Sequence, residues 1–356
     1  MATRLSLVQL GKGTVGSALI GQIREARPAL LKRLGVDLVY AGIAGRRSGV
    51  FDPAGIDLTR WKETVETGGG LEGRKMLRQA RGVLSGSAVL VDATAEEGMA
   101  ELYCDAFSAG FHVVSCNKKP LAGPLADYRR VKEASRRKHR FLLYEVTVGA
   151  GLPVIGTLRD LLDSGDRLES IEGCFSGTLN YLCAALDGGG KFSEAVARAR
   201  EMGYTEPDPR EDLAGQDVAR KALILAREAG QEIEPEAVRH ELFCPIDRRG
   251  DAVKFMAKMP SMDAETAGRW REAAAHGNRL RYVASVDRGC RAALKEVPAD
   301  GALGRLSGPD NIFVFRTRRY SDRPLVVSGP GAGPAVTAAG AFGDIIRVAR
   351  AIAGTA

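Results

Sequence analysis

Gly11-Lys-Gly-Thr-Val-Gly16 stands directly behind the apolar run Leu5-Ser-Leu-Val-Gln-Leu10 and opens a helix-like stretch over residues 15–23. Few folds satisfy strand, then GxGxxG, then helix. The first glycine allows a tight turn, the second lets a pyrophosphate approach the backbone, and the third lets the helix pack on the strand. The helix N-terminus then faces the phosphates with its unpaired N–H groups. Gly11, Gly13, Thr14, Val15 and Gly16 are therefore the expected phosphate-binding backbone. Without its strand and helix the same motif would be only a glycine-rich turn.

The pattern continues in kind. Strand-like runs at 36–44, 88–93, 111–115 and 141–146 alternate with amphipathic segments at 99–109 and 125–138. Such alternation predicts an α/β fold, a Rossmann-type doubly wound parallel sheet with helices on both faces. Residues 48–84 read less clearly, with Gly68-Gly-Gly70 as a loop between helices. After about residue 150 the style changes. A helix over 152–162 and a strand over 168–175 precede several helices, then short strands at 281–286, 291–297, 311–317 and 324–328. This predicts a second, α+β domain. Residues 334–353 read as a final helix returning to the first domain. The expected boundaries are 1–147 with 334–356 for the dinucleotide-binding domain and 148–333 for the substrate-binding and dimerisation domain.

The end of the second strand bears on the nucleotide. An acid there would bind a ribose 2′-hydroxyl. The chain has Ala44-Gly-Arg-Arg-Ser48 instead. Arginine suits a 2′-phosphate through charge-assisted bonds, so Arg46 favours NADP over NAD; its alternative is a solvated loop charge.

Gly203-Tyr-Thr-Glu-Pro-Asp-Pro-Arg-Glu-Asp-Leu-Ala-Gly-Gln-Asp-Val-Ala-Arg-Lys221 sets five carboxylates ahead of one lysine. Pro207 and Pro209 are expected to keep its first part out of a helix. Its second part reads as a helix running on through Ala226, on which Asp217 and Lys221, four apart, share a face. Acids and an amine facing one volume suit a small cationic group and a proton transfer. The plain alternative for Lys221 is a surface ion pair with Asp217, worth little.

These stretches together carry a resemblance. With Val91-Asp-Ala-Thr94, Asn117-Lys-Lys119, Tyr144-Glu-Val-Thr-Val-Gly-Ala-Gly-Leu-Pro153, Phe175-Ser-Gly-Thr178 and Gly329-Pro-Gly-Ala-Gly-Pro-Ala-Val-Thr-Ala-Ala-Gly340, the chain resembles homoserine dehydrogenase over most of its length. The resemblance implies hydride transfer between NAD(P) and L-homoserine, with L-aspartate 4-semialdehyde as the carbonyl partner, on the route to threonine and methionine. It implies Lys221 as the proton-transfer group, with Lys118 beside cofactor and substrate and Asp217 in the catalytic set. Carboxylates near Lys221 favour its ammonium; a second lysine nearby opposes that. Glu206, Asp212 and Asp217 would hold the substrate ammonium, with Tyr204, Gly177 and Thr178 shaping the pocket, while Asp208 and Glu211 receive no role. Thr94 and Gly333 would border the nicotinamide. Glu145 with the carbonyls of Val148, Ala150 and Leu152 would hold Na⁺ or K⁺, oxygen ligands suiting a hard cation; a glycine hinge is the alternative reading there. A homodimer is expected through the second domain, with no kinase or C-terminal regulatory domain.

Bulk properties bound the rest. The 356 residues suffice for two domains, and 45% hydrophobic with 27% charged residues is ordinary for a globular chain. The net charge of +7 comes from scattered basic residues without interleaved aromatics, which argues against a nucleic-acid partner. No apolar run reaches the ~20 residues of a membrane span. Six cysteines without a CxxC pair read as reduced thiols in a cytoplasmic protein, with Cys116 buried and inert.

Overall fold

The computed structural model describes residues 2–84, 87–246 and 251–354. They form two units, one of Met1–Gly151 with Ala332–Ala356, the other of Leu152–Gly331.

The first unit holds strands β1 (Thr3–Leu10), β2 (Val36–Ala44), β3 (Gly49–Phe51), β4 (Ser87–Asp92), β5 (Phe111–Ser115) and β6 (Leu142–Leu143), ordered β3-β2-β1-β4-β5-β6. All neighbours are parallel except the short edge strand β3, which runs antiparallel to β2. Residues Leu5 to Leu10 of β1 are all buried, as a sheet covered on both faces requires. Leu5, Leu7, Leu38, Tyr40, Val89 and Val91 share one core with Leu19, Ile20 and Ile23 of the helix Thr14–Leu34 and with Ile345 and Val348 of the helix Pro334–Ala353. Each such aliphatic side chain contributes about 1.5–3 kcal/mol on full burial. The chain leaves β1 to one side for β2 and to the other for β4, so the reversal of strand order lies at the carboxyl ends of β1 and β4.

Two expectations need correction here. The strand foreseen at 141–146 is only Leu142–Leu143. Beyond it the Glu145 amide donates to buried Asp344 (2.9 Å) and the Thr147 hydroxyl to the Tyr144 carbonyl (2.7 Å), which winds Val146–Gly149 into a helical turn. The first unit also runs on to Gly151 rather than 147, and resumes at Ala332 rather than 334. A Cβ on Gly151 would meet the Val336 carbonyl at 2.8 Å, so this segment is packed on the final helix. Residues 48–84 supply β3 and the helices Trp61–Thr67 and Gly73–Ala80, with the triple glycine between those helices.

The second unit holds β7 (Leu168–Cys174), β8 (Arg239–His240), β9 (Asn278–Val286), β10 (Cys290–Pro298), β11 (Asn311–Thr317) and β12 (Leu325–Gly329), ordered β12-β11-β7-β9-β10-β8 and antiparallel except at β8. Helices Gly177–Asp187, Gln216–Glu228 and Asp263–Ala275 pack on β9. Val283 turns the other way, into a cluster with Cys174, Ile312, Val314, Leu303 and Leu306. Buried Arg281 fastens that covering segment through the carbonyls of Leu303, Gly304 and Leu306 and pairs with Asp187 at 2.7 Å.

The acidic stretch is two helices, not one. Pro209 begins a helix, Pro209–Leu213, because its missing N–H is no loss at a first helical position. Asp208 caps it, accepting from the Arg210 amide at 3.1 Å. Gly215, at φ +67°, breaks the chain before Gln216–Glu228 begins.

Candidate active site

In the first unit the glycine loop is built by its neighbours. Gly11 adopts φ +95°, and a Cβ there would meet the Ala93 carbonyl at 2.4 Å. A Cβ on Gly16 would meet the Gly11 carbonyl at 2.2 Å. Gly13 has nothing within 4 Å of its Cβ position, which leaves room above the loop. Buried Gln9 clamps both ends, donating to the carbonyls of Gly11 (2.8 Å) and Gly16 (3.1 Å) while accepting from the Tyr40 hydroxyl (2.8 Å). The helix from Thr14 through Val15 has no side-chain cap and no acid in its first turn. A cradle closed below, open above and lined by uncapped N–H groups fits a dinucleotide pyrophosphate.

Thr94 follows β4 beside this loop. Its amide and hydroxyl both donate to Asp92 Oδ1, at 2.9 and 2.7 Å. Asp92, fully buried, also accepts from the Tyr103 hydroxyl (2.6 Å) and the Asn117 amide (3.3 Å) through Oδ2. Lys118 follows at the start of the turn Lys119–Ala122. Cys116 lies among these groups, and burial first, then Asp92, pushes its thiol up to about 12, so it is held protonated. Arg46 is exposed on the Gly45–Ser48 turn behind β2, closed by a Gly45 amide to Ser48 carbonyl bond of 2.7 Å. Gly333, at φ +107°, precedes the final helix, with nothing within 4 Å of its Cβ position.

Of the expected cation ligands, Glu145, Val148 and Ala150 belong to this unit and Leu152 to the other. Glu145 is 4% exposed, and Arg347 Nη1 stands 3.3 Å from its Oε2. Ala150 takes φ +53°, rare without glycine. Its carbonyl would be 2.1 Å from a Cβ on Gly340.

The second unit gathers the acids and the lysine. Lys221 is 8% exposed, and its Nζ donates to the Phe175 carbonyl at 2.8 Å and pairs with Asp217 Oδ2 at 2.9 Å. The ion pair with Asp217 is thus present, with the amine buried and the Asp217 side chain 49% exposed. Phe175 directly follows β7, and Asn311 also donates to its carbonyl, at 3.3 Å. Asn180 donates to the Asp310 carbonyl (2.7 Å) and to Asn311 Oδ1 (3.3 Å), so two buried amides fix the strand end that Lys221 touches. Asp212 accepts from the Thr178 hydroxyl (3.0 Å) and the Glu206 amide (2.8 Å). Burial first, and then the Glu206 and Asp217 carboxylates, hold the Asp212 carboxyl above its usual range. Asp212 therefore senses both neighbouring acids. The Thr178 hydroxyl also bonds the Tyr204 carbonyl, and Gly177 opens the helix that carries Thr178. Asp208 is apart from this set, tied to Arg210 at 2.6 Å and held below the usual carboxylate range by it.

Sequence reasoning missed Gln9, Asp92, Tyr103, Asn180, Asn311 and Asp344. Their common signal is burial of a polar side chain, which no local pattern reveals.

Comparison with known proteins agrees with this division. A family model described as the homoserine dehydrogenase NAD-binding domain matches residues 11–145, and one described as homoserine dehydrogenase matches 153–346. The chloroplastic bifunctional aspartokinase/homoserine dehydrogenase 1 of Arabidopsis thaliana is 43% identical over 354 residues, covering 98% of this chain and 39% of that protein. The chain thus spans about two fifths of the bifunctional curated relatives it matches. The homoserine dehydrogenase of Paracoccidioides brasiliensis is 42% identical over 277 residues, 74% of each chain. Among solved structures, a hyperthermophilic archaeal homoserine dehydrogenase in complex with NADPH superposes with a TM-score of 0.72 at 26% identity, covering 98% of this chain and 97% of that one. With both units matched by family models and relatives above 40% identity, the chain belongs to the homoserine dehydrogenase family.

Proposed function

We propose that the protein interconverts L-homoserine and L-aspartate 4-semialdehyde, with NADP preferred to NAD, as a step toward threonine and methionine. The observation that carries this is buried Lys221, bonded to Asp217 and to the Phe175 carbonyl, in the unit that also holds the Glu206, Asp212 and Asp217 carboxylates. Both substrates are amino acids with an ammonium group. Asp212 bears a desolvation penalty among like charges, and a cation bound beside it relieves that penalty. An aldehyde lacking the ammonium would leave the desolvation of Asp212 unrelieved. Glu206, Asp212 and Asp217 hold the substrate amine, and Tyr204, Gly177 and Thr178 shape the pocket around it.

When bound, the nicotinamide supplies or takes up the hydride. The proton is the protein's task. Lys221 gives it to the aldehyde oxygen as that oxygen becomes a hydroxyl, and takes it back in the reverse direction. Asp217 and the Phe175 carbonyl aim the amine. Lys118 acts as a second amine for cofactor and substrate. Gly11, Gly13, Thr14, Val15 and Gly16 bind the pyrophosphate, Thr94 and Gly333 the nicotinamide end, and Arg46 the adenosine ribose. NADP preference is supported by Arg46 in place of an acid, and by the NADPH bound in the archaeal relative.

Na⁺ or K⁺ at Glu145 with the carbonyls of Val148, Ala150 and Leu152 belongs to the same reading. The buried carboxylate supports it; Arg347 beside Glu145 competes with it. A cytoplasmic location is favoured by six free cysteines, and among the described residues no helix is long and apolar enough to cross a membrane.

Initial rates with homoserine and each nucleotide test the whole. Lys221→Ala should cut turnover by at least about 100-fold, the usual worth of a general acid–base group, while NADPH binding persists. Turnover within tenfold of wild type would remove Lys221 from the reaction, and a wild-type protein inert with both nucleotides would end the proposal.

A further inference from the structure

We propose that Lys12, the second residue of the glycine fingerprint, is a specificity-determining contact for the 2′-phosphate of NADP, working with Arg46. The inference deepens the cofactor reading above and rests on it.

The Gly11 amide donates to the Ala44 carbonyl at 2.8 Å, which ties the fingerprint loop to the end of β2. Lys12 is the next residue, and its stem runs along that tie. A Cβ on Gly45 would lie 2.9 Å from Lys12 Cε, 3.1 Å from Cγ and 3.2 Å from Cδ. The stem therefore lies against Gly45, the first residue of the Gly45–Ser48 turn that also holds Arg46 and Arg47. A larger side chain at Gly45 would displace the Lys12 stem from this position.

Lys12, Arg46 and Arg47 thus lie on two adjacent loops at the end of β2, where the adenosine ribose lies in this fold. Among the described residues none of Lys12, Arg46 and Arg47 has an ion-pair partner. No acid stands at the end of β2 to receive a 2′-hydroxyl, the run there being Ala44-Gly45-Arg46. Like charges gathered without acids repel one another, and a phosphate monoester of about two negative charges reverses that. Arg46 and Arg47 are exposed, whereas Lys12 is half-buried and its stem is already packed. An ammonium held in this way loses less freedom on binding than a solvated one. NADH carries only a neutral 2′-hydroxyl at this position, with no negative charge for the Lys12 ammonium to meet.

The test is titration of nucleotide fluorescence with NADPH and with NADH, which reads binding without turnover. Lys12→Gln should lower the ratio of NADPH to NADH affinity by about tenfold, the worth of one charge-assisted hydrogen bond. It should also flatten the salt dependence of NADPH binding, with NADH affinity moving less than twofold. Lys12→Arg should keep most of the ratio. Gly45→Ala should lower it in the same direction by displacing the stem. A ratio unchanged within twofold in Lys12→Gln, or an equal loss for both nucleotides, would overturn the assignment. A wild-type protein that binds NADH more tightly sinks the NADP preference instead, and the effect of Lys12→Gln on NADPH alone then decides Lys12.

Discussion

Gly215 organises the acids without touching them. It holds φ +67°, and a Cβ there would lie 1.9 Å from the Tyr282 hydroxyl. That hydroxyl is fixed in turn by its bond to the Glu241 carbonyl. The helix carrying Asp212 and the helix carrying Asp217 and Lys221 meet at this point, so the residue sets where Asp212 stands relative to the other two. Gly215→Ala should cost about 2–4 kcal/mol in denaturant unfolding, combining left-handed strain of about 1–2 kcal/mol with overpacking against Tyr282. Gly203 shares the strain, at φ +70°, but has nothing within 4 Å, so Gly203→Ala should cost only the strain. Equal losses in the two variants would remove Tyr282 from the explanation. The sequence disclosed Lys221 with Asp217 because their spacing is helical and local. It did not disclose Asn180 or Asn311, which meet across 131 positions and look like any other amide along the chain.

Among the elements, β5 offers a group whose titration reports packing. His112 is 3% exposed and stacks on Phe141 at 5.2 Å. Its Nδ1 accepts from the Phe141 amide at 3.0 Å, which fixes the proton on Nε2, and Nε2 has no partner among the described residues. Burial first, and then Arg140, lower the imidazole from 6.5 to about 4. A lowered value means that the unfolded chain binds the proton more readily. The stability held by neutral His112 is therefore fully present above pH 6.5 and is lost as pH falls toward 4, by at most about 3 kcal/mol. His112→Gln, which keeps an acceptor for the Phe141 amide, should flatten unfolding free energy across that window relative to wild type. Parallel profiles for the two proteins would show that His112 does not titrate in this way. The strand itself was plain in the sequence, as were β2 and β11, because unbroken or alternating apolar runs bounded by turn residues have one local solution. The helix break at Gly215 and the turn Val146–Gly149 were not, because distant groups impose them, Tyr282 on one and Asp344 on the other.

At the scale of the whole molecule, the helices that pack on β9 among the described residues leave the other face of the second unit's sheet to the Leu303–Leu306 segment and its surroundings. Register places Val326, Val314, Glu172, Ser285 and Arg291 in one row across five strands. Val326 is 42% exposed, while Glu172 is neutralised by Lys295 at 3.4 Å. Arg281 and the Leu303–Leu306 segment cover the neighbouring part of the face, through Val283, Ile312 and Val314, and leave the Val326 end of the row exposed. An antiparallel sheet can leave one face to water, but a row that begins on valines and pairs its own acid is suited to an apolar partner surface. A second copy of the chain, seated sheet to sheet about the same row, satisfies it on both sides at once, since a two-fold interface uses one patch twice. Sedimentation velocity at tens of micromolar should therefore give a dimer. Val326→Glu would place an unpaired carboxylate in each half of that interface and should shift the protein to monomer, with its far-ultraviolet circular dichroism unchanged. A wild-type monomer would remove the dimer altogether, whereas a Val326→Glu protein that still sediments as a dimer would move the interface to another surface.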